Sequence, residues 1–210
     1  MKYGVDVAVK RADDLDKKLL FQVAQKLGRS REVGVLDIGC GGAGLASRLA
    51  EAGASVVGVD IQDFSKKFDE VRKRVGRSAE KFIFLPTDVK LLETLPTQHF
   101  DFVVVQRMIH YLRYQDALEL LAKLKQNTPL KLFISVTGLE SDVGRNYRDR
   151  SKPVRDRFAP IKHGDQEIFS ITEPVCLYTP EEFAVLIQEA GWEIEGLWVS
   201  AFGNVKAICY

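Results

Sequence analysis

The sequence predicts an α/β fold in which a mostly parallel, doubly wound sheet carries helices on both faces. Short apolar runs alternate along the chain with longer stretches of helical periodicity, and this alternation is typical of such a sheet. The last two apolar runs, 192–200 and 204–209, are separated only by a short turn-like segment. Parallel neighbours need a longer crossover, so we expect these runs to form an antiparallel hairpin. The complete prediction is a seven-stranded sheet.

The individual elements follow in chain order. An amphipathic helix is expected near 12–27, because its leucines and Val23 recur on one side. Strands are predicted near 33–38, 55–60, 81–85, 100–105 and 130–137, and further helices near 43–53, 64–75, 113–126 and 179–190. The stretch 138–176 breaks the alternation, and connections of that length are usually functional or mobile. We therefore expect one domain over 1–210, with an N-terminal helical segment at 1–30 and a lid or substrate-recognition insertion at 138–176.

Composition is that of a globular protein without a strong charge bias. Thirty Lys and Arg residues oppose 29 Asp and Glu residues, leaving a net charge of +1, which gives no general field for nucleic acid. Three cysteines without a C-x-x-C pair favour a reducing compartment. No apolar run is long enough to predict a membrane span. We expect a cytoplasmic monomer or homodimer that does not associate with membranes.

A glycine-rich turn follows the first predicted strand. Gly39, Gly41 and Gly44 have the spacing G-x-G-x-x-G, and Asp60 ends the second strand 21 residues beyond the first glycine. This is the sequence form of a Rossmann-like nucleotide-binding βαβ unit. The glycines permit a tight turn and close approach of a ligand, and the carboxylate can accept hydrogen bonds from a ribose diol. The sequence therefore predicts an adenosine-bearing ligand.

The carboxylate of Asp37 distinguishes between two ligands of that kind. A pyrophosphate at the N-terminus of the following helix carries negative charge, and the neighbouring carboxylate would repel it. S-adenosylmethionine instead carries a sulfonium and an ammonium and has no phosphate, so Asp37 suits its ammonium, directly or through a water. Charge therefore favours S-adenosylmethionine, and a nicotinamide oxidoreductase is the competing interpretation.

Four motifs occur in a fixed order along the chain. They are Leu-Asp-Ile-Gly-Cys-Gly-Gly-Ala-Gly at 36–44, Gly-Val-Asp at 58–60, Leu-Pro-Thr-Asp-Val at 85–89 and Phe-Asp-Phe-Val-Val-Val-Gln-Arg-Met-Ile-His-Tyr-Leu at 100–112. In this order and spacing the chain resembles the class I S-adenosylmethionine-dependent methyltransferases, over roughly residues 33–137, and its C-terminal part fits the same fold. The family pattern D-x-G-x-G-x-G has glycine where this chain has Ala43, which we interpret as tolerated variation.

The resemblance implies a set of residues that contact S-adenosylmethionine. The set consists of Asp37, Gly39, Cys40, Gly41, Gly44, Asp60, Ile61, Asp88, Val89 and Gln106. Cys40 would contribute its backbone below the methionine portion, and Ile61 would pack against the adenine. Asp88 would accept a hydrogen bond from the adenine amino group, although it could instead cap the short helix after it. Gln106 and Arg107 end the fourth strand, where the family lines the pocket near the methyl group.

Methyl transfer is an in-line displacement, so alignment of the reactants supplies much of the acceleration. A hydroxyl or protonated amine acceptor also needs a general base. His110 is the first catalytic candidate, because it follows the fourth strand closely and histidine can titrate near neutral pH; the alternative is a merely packed histidine. Tyr178 is a second candidate, Tyr111 and His163 are weaker ones, and Tyr3 could close over the pocket from the N-terminal segment.

The segment 145–163 carries the prediction about the acceptor. Between 145 and 162 it holds seven Lys and Arg residues against two acids, with aromatic residues between them. Since it follows the fifth strand, it should emerge at the carboxyl edge of the sheet, where ligands bind. We interpret it as a recognition segment for a small, anionic or amphipathic methyl acceptor; the alternative is a solvated surface insertion that only packs over the domain. Nucleic acid is a possible but not favoured partner, and no metal site is expected. The alternatives are modification of RNA or protein through this segment, and a non-catalytic S-adenosylmethionine-binding partner subunit.

Overall fold

The computed structural model describes residues 2–4, 12–30, 32–91, 100–127 and 131–210. Strands and helices alternate within these ranges as the sequence predicts. The strands are β1 (Gly34–Ile38), β2 (Ser55–Asp60), β3 (Phe82–Pro86), β4 (Phe102–Gln106), β5 (Lys131–Thr137), β6 (Ile194–Val199) and β7 (Asn204–Cys209). The helices are α1 (Asp14–Leu27), α2 (Gly44–Ala52), α3 (Ser65–Val75), α4 (Tyr114–Asn127), α5 (His163–Phe169) and α6 (Pro180–Glu189). Of the expected segment 1–30, residues 1 and 5–11 lie outside the described ranges, as does residue 130 of the predicted fifth strand.

The strands form one seven-stranded sheet in the order β3-β2-β1-β4-β5-β7-β6. Strand β1 is parallel to both β2 and β4, β2 is parallel to β3, and β6 and β7 form an antiparallel hairpin. The predicted fold class is therefore confirmed. The strand order reverses beside β1, because the chain runs outward through β3 and then returns to place β4 on the other side. In open α/β sheets, ligands bind at the carboxyl ends of the strands at such a point.

The chain divides into two compact units. The first unit comprises Asp6–Val105 and Asn127–Phe133, and the second comprises Met1–Val5, Gln106–Gln126 and Ile134–Tyr210. The first unit begins its described part with α1, whose capping box joins Asp13 and Asp16. The apolar side of α1 is buried, and β1 and β2 are buried over most of their length. Apolar residues on both faces of these strands explain why the sequence predicts them as continuous apolar runs.

The second unit contains the stretch 138–176, which is more ordered than a long loop. Seven residues in or directly after the stretch form a buried apolar cluster, namely Leu139, Tyr147, Ala159, Ile161, Ile171, Val175 and Leu177. Helix α5 lies within the stretch, and a β-bridge joins Tyr3 to Ile171. The sequence does not predict α5, because this seven-residue helix buries none of its residues and has no apolar stripe. The stretch is thus a packed part of the second unit.

Candidate functional site

The loop after β1 has an unusual backbone. Gly39, Gly41 and Ala43 all adopt left-handed conformations, with φ angles of 72°, 52° and 66°. Backbone N–H groups of Gly39 and Cys40 both donate to the carbonyl of Val59, at 2.8 and 3.2 Å, which fixes the loop over the end of β2. Glycine adopts this conformation without penalty, whereas alanine there costs about 1 kcal/mol. Ala43 therefore adopts a left-handed conformation at a position where the family pattern has glycine.

Asp60 connects the end of β2 to this loop. Its Oδ2 accepts a hydrogen bond from the backbone N–H of Gly41 at 3.0 Å, and its Oδ1 accepts one from Gln62 at 2.9 Å. The two backbone donors place this carboxylate between the loop and the chain that follows β2. The next side chain, Ile61, is half exposed although it is apolar. A hydrogen-bond acceptor and an apolar surface therefore adjoin at the carboxyl end of β2.

Asp37 is a buried carboxylate in β1. It lies in register with Gly58 of β2 and Val104 of β4, and its exposed fraction is 3%. A Cβ at Gly58 would lie 2.9 Å from the Cys40 sulfur and 2.3 Å from the Phe68 ring. The Cys40 side chain therefore packs over Gly58, while its backbone forms part of the loop. Gly44 is the buried first residue of α2.

Asp88 follows β3 and lies beside the end of β2. The backbone N–H of Thr87 donates to the carbonyl of Asp60 at 2.8 Å, so the two strand ends are joined. The side chain of Asp88 accepts from the Lys90 backbone N–H at 3.0 Å, at the start of a short 3-10 turn that begins with Val89. This is the helix-capping role that the sequence allowed for Asp88 as the alternative to binding adenine. The carboxylate is half buried and keeps acceptor capacity beyond that one bond.

The other predicted site residues lie in the second unit. Gln106 is half buried at the end of β4. His110 is buried: its ring contacts the tilted Tyr111 ring, with 4.2 Å between ring centroids, and its Nδ1 accepts from the Thr137 backbone N–H at 3.5 Å. Burial, and secondarily the Arg107 guanidinium, lower the pKa of His110 to about 3. His110 therefore does not titrate near neutral pH as the sequence led us to expect, because the imidazolium would be desolvated.

Tyr178 belongs to the core of the second unit. Its ring is fully buried between Tyr114 and Phe183, with ring centroids 6.5 and 5.9 Å away. Burial raises the pKa of the Tyr178 phenol well above its usual value. A phenol that is closed off from solvent and difficult to ionise does not suit the role of general base. The predicted catalytic role of Tyr178 is therefore not supported by its position.

The basic residues of 145–163 are largely neutralised by neighbouring acids. Six of the seven cations form ion pairs, namely Arg145 with Asp142, Arg148 and Lys152 with Asp149, Arg150 with Glu140, Arg155 with Glu189, and Arg157 with Glu182. Arg157 is buried and also donates to the carbonyl of Leu177. Arg155 lies over the Tyr114 ring. The segment is therefore not the free basic surface on which the prediction of an anionic acceptor or an RNA partner was based.

Metal ligation and membrane insertion can be assessed for the described part of the chain. There, no group of three or more His, Cys, Asp and Glu side chains could hold a metal ion. None of the helices in the same ranges has the length and apolar character needed to cross a membrane.

Comparisons with known proteins agree with this geometry. The family model described as "Methyltransferase domain" matches residues 35–128. A ubiquinone biosynthesis O-methyltransferase of Nitrosospira multiformis is 32% identical over 77 residues, which are 37% of this chain and 31% of that protein. The chain thus aligns with about a third of that relative's length.

Solved structures share the fold over nearly the whole chain. The 1,6-didemethyltoxoflavin-N1-methyltransferase of Burkholderia thailandensis superposes with a TM-score of 0.68 at 18% identity, covering 97% of this chain and 80% of that one. An S-adenosylmethionine-dependent methyltransferase of Clostridium acetobutylicum gives a TM-score of 0.67 at 12% identity, covering 94% and 92%. Sequence match and fold together define a methyltransferase domain. Residues 35–128 thus match a methyltransferase domain, and the chain has the fold of the S-adenosylmethionine-dependent methyltransferases.

Proposed function

We propose that this protein transfers a methyl group from S-adenosylmethionine to a small-molecule acceptor. The observation that carries the proposal is the coupling of the left-handed loop at 39–43 to the carboxylate of Asp60. It lies where the strand order reverses, at the carboxyl end of the sheet. The relatives named above are methyltransferases for ubiquinone biosynthesis and for 1,6-didemethyltoxoflavin, and both names denote small-molecule chemistry.

The chemistry of the side chains fits the cofactor. Asp60 would accept hydrogen bonds from the ribose hydroxyls, beside the loop whose Gly41 N–H it already binds. Ile61 would lie against the adenine, and Asp88 with the Val89 amide would meet the adenine edge. The carboxylate of Asp37 suits an ammonium and opposes a pyrophosphate, and that of Asp60 suits a ribose diol.

The loop residues complete the proposed cofactor site. Gly39, Gly41 and Gly44 would let the methionine portion approach the backbone closely, with the amide of Cys40 beside them. Gln106, at the end of β4, would line the region near the methyl group. Bound S-adenosylmethionine supplies an electrophilic methyl on its sulfonium. The chain's own part is to orient the acceptor for in-line attack and to exclude water from the reacting atoms.

His110 is poorly suited to act as a general base. A neutral imidazole with a pKa of about 3 has little tendency to take a proton from a hydroxyl. We propose that His110 acts as a positioning residue for Tyr111 and the end of β5. An acceptor atom that is already unprotonated, or that releases its proton to water, needs no such base.

The experiment is a calorimetric titration with S-adenosylmethionine, S-adenosylhomocysteine and NADH. Micromolar binding of the first two and none of NADH is expected. Asp60→Asn should weaken binding about tenfold or more, because hydrogen bonds to a charged group are lost. Asp63→Asn is the matched control: this neighbouring carboxylate is exposed and accepts from its own turn at Ser65. Equal affinities of the two variants, with intact folding, would count against the assigned role of Asp60. NADH binding in place of S-adenosylmethionine would reject the proposal.

A further inference from the structure

Arg107, the residue after β4, has a strained backbone. Its φ angle is 48°, in the left-handed region that residues other than glycine rarely adopt. Its backbone N–H donates to both the carbonyl and the hydroxyl oxygen of Ser135, at 2.8 and 3.2 Å, and Ser135 is buried. Strained residues of this kind persist where the surroundings fix them, and they cluster at functional sites. The strain therefore directs attention to what the side chain does.

The Arg107 guanidinium is a cation without a partner among the described residues. The side chain is half buried, yet it has no ion pair or hydrogen bond within these ranges. By contrast, six of the seven cations between 145 and 162 have an acidic partner. Arginine is seldom withdrawn from water without a partner, because its desolvation is then uncompensated. An unpaired, half-buried arginine at the carboxyl edge of the sheet is suited to binding an anion.

Aromatic side chains surround this position. Tyr111 is half buried and contacts the tilted ring of His110. It also meets Tyr3 edge-on, with 5.1 Å between ring centroids. Tyr3 is held by its bridge to Ile171, and the next residue, Gly4, donates to the carbonyl of Ser170 at 2.8 Å. Arg107 and Tyr111 flank one short turn: the 3-10 helix Ile109–Tyr111 follows directly, and the Tyr111 backbone N–H donates to the carbonyl of Met108, the residue after Arg107, at 2.9 Å. One cation thus adjoins an aromatic wall within the second unit.

We infer that Arg107 is a specificity-determining residue, which binds a carboxylate on a planar aromatic methyl acceptor whose ring lies against Tyr111 and Tyr3. The guanidinium can meet both carboxylate oxygens in a bidentate pair, and the aromatic rings favour a flat partner. Unlike most cations of segment 145–163, Arg107 forms no ion pair with any acid in the part of the chain that the structure describes. The inference rests on the proposed methyltransferase function and names the class of its substrate.

One acidic residue also acts on this region. Glu173 lies two residues after Ile171, the bridge partner of Tyr3, and its carboxylate accepts from the Thr172 hydroxyl at 3.3 Å. Its negative charge opposes that of a bound carboxylate. Removing the charge of Arg107 should therefore weaken binding of a carboxylate, whereas removing the charge of Glu173 should strengthen it. A general effect on folding would not change the affinity in opposite directions.

The test uses two probes that differ in charge, 3,4-dihydroxybenzoate and 3,4-dihydroxybenzamide. Their binding is measured by ligand-observed NMR with S-adenosylhomocysteine present, so that no turnover is needed. Wild-type protein is expected to favour the benzoate. Arg107→Gln should weaken the benzoate about tenfold or more and leave the amide within about twofold, because one charge-assisted pair is lost. Arg107→Lys should recover part of the affinity, since it keeps the charge without the fork geometry.

Two further variants complete the test. Glu173→Gln should strengthen benzoate binding, whereas Arg145→Gln, which removes an exposed ion pair with Asp142, should leave it unchanged. The inference is overturned if wild-type protein does not favour the benzoate, or if Arg107→Gln weakens both probes equally or neither. S-adenosylhomocysteine binding is measured in the same samples. Wild-type protein that does not bind S-adenosylhomocysteine would reject the proposed function. Normal cofactor binding without discrimination between the probes would reject only the role of Arg107.

Discussion

The neutral, buried state of His110 predicts a specific loss of stability in mild acid. In the unfolded chain its pKa should be near the ordinary value of 6.5, whereas in the folded chain the pKa is about 3. Between these values the unfolded state binds a proton that the folded state does not bind. The contribution of the neutral His110 to the free energy of unfolding is therefore fully present above about pH 6.5. It decreases as the pH falls and is lost when the pH reaches the folded pKa.

The size of this effect follows from the two pKa values. Each pH unit within the window changes the free energy of unfolding by about 1.4 kcal/mol. Between pH 7 and pH 5 the unfolded state gains about 2 kcal/mol from this one histidine, since protonation becomes substantial only below 6.5. For a domain with a total stability of about 5–15 kcal/mol, that is a large fraction.

The assay is urea unfolding followed by tryptophan fluorescence at pH 5, 6 and 7. His110→Asn provides the comparison, because its amide oxygen can still accept from the Thr137 backbone N–H but cannot titrate. Wild-type protein should lose about 2 kcal/mol more than this variant between pH 7 and pH 5. His163→Asn, at an exposed position, should keep the wild-type slope. Parallel pH dependences of wild-type protein and His110→Asn would refute the reasoning.

Two further predictions concern packing and buried charge. Gly58→Ala should destabilise the protein by about 1–3 kcal/mol, because its Cβ would lie 2.3 Å from the Phe68 ring; Gly164→Ala, with no atom within 4 Å of the new Cβ, should change the urea midpoint little. Arg157→Met should cost about 1–3 kcal/mol, since the Leu177 carbonyl and the partly buried Glu182 carboxylate lose their donor, whereas Arg145→Met should stay within about 0.5 kcal/mol in the same assay. Equal effects within either pair of variants would contradict the assigned packing or burial.

The sequence predicts the sheet well because its central strands are buried on both faces. Strand β2 begins and ends where the apolar run 55–60 predicts, and the hairpin of β6 and β7 follows from the short turn between them. The glycine spacing likewise predicts the loop after β1. One detail differs: Ala43, and not Gly44, takes the third left-handed position, while Gly44 begins α2. Backbone conformation cannot be read from residue spacing alone.

Features that depend on distant residues could not be predicted in this way. The cations of 145–163 are neutralised in part by Glu182 and Glu189, which lie outside the segment whose charges were counted. The low pKa of His110 is caused first by burial, which only the packed structure reveals. The bridge between Tyr3 and Ile171 joins residues that are 168 positions apart in the sequence. In each case a tertiary contact decides the chemistry of a residue that the sequence could name but not place.

Transfer of a labelled methyl group tests the central claim most directly. Purified protein is incubated with methyl-labelled S-adenosylmethionine and an extract separated into small-molecule, RNA and protein fractions. We predict label in the small-molecule fraction, strongly reduced by Asp60→Asn and unchanged by Asp63→Asn. Label confined to RNA or protein would contradict the proposed substrate class. A folded protein that neither binds S-adenosylmethionine nor transfers its methyl group to any fraction would contradict the account as a whole.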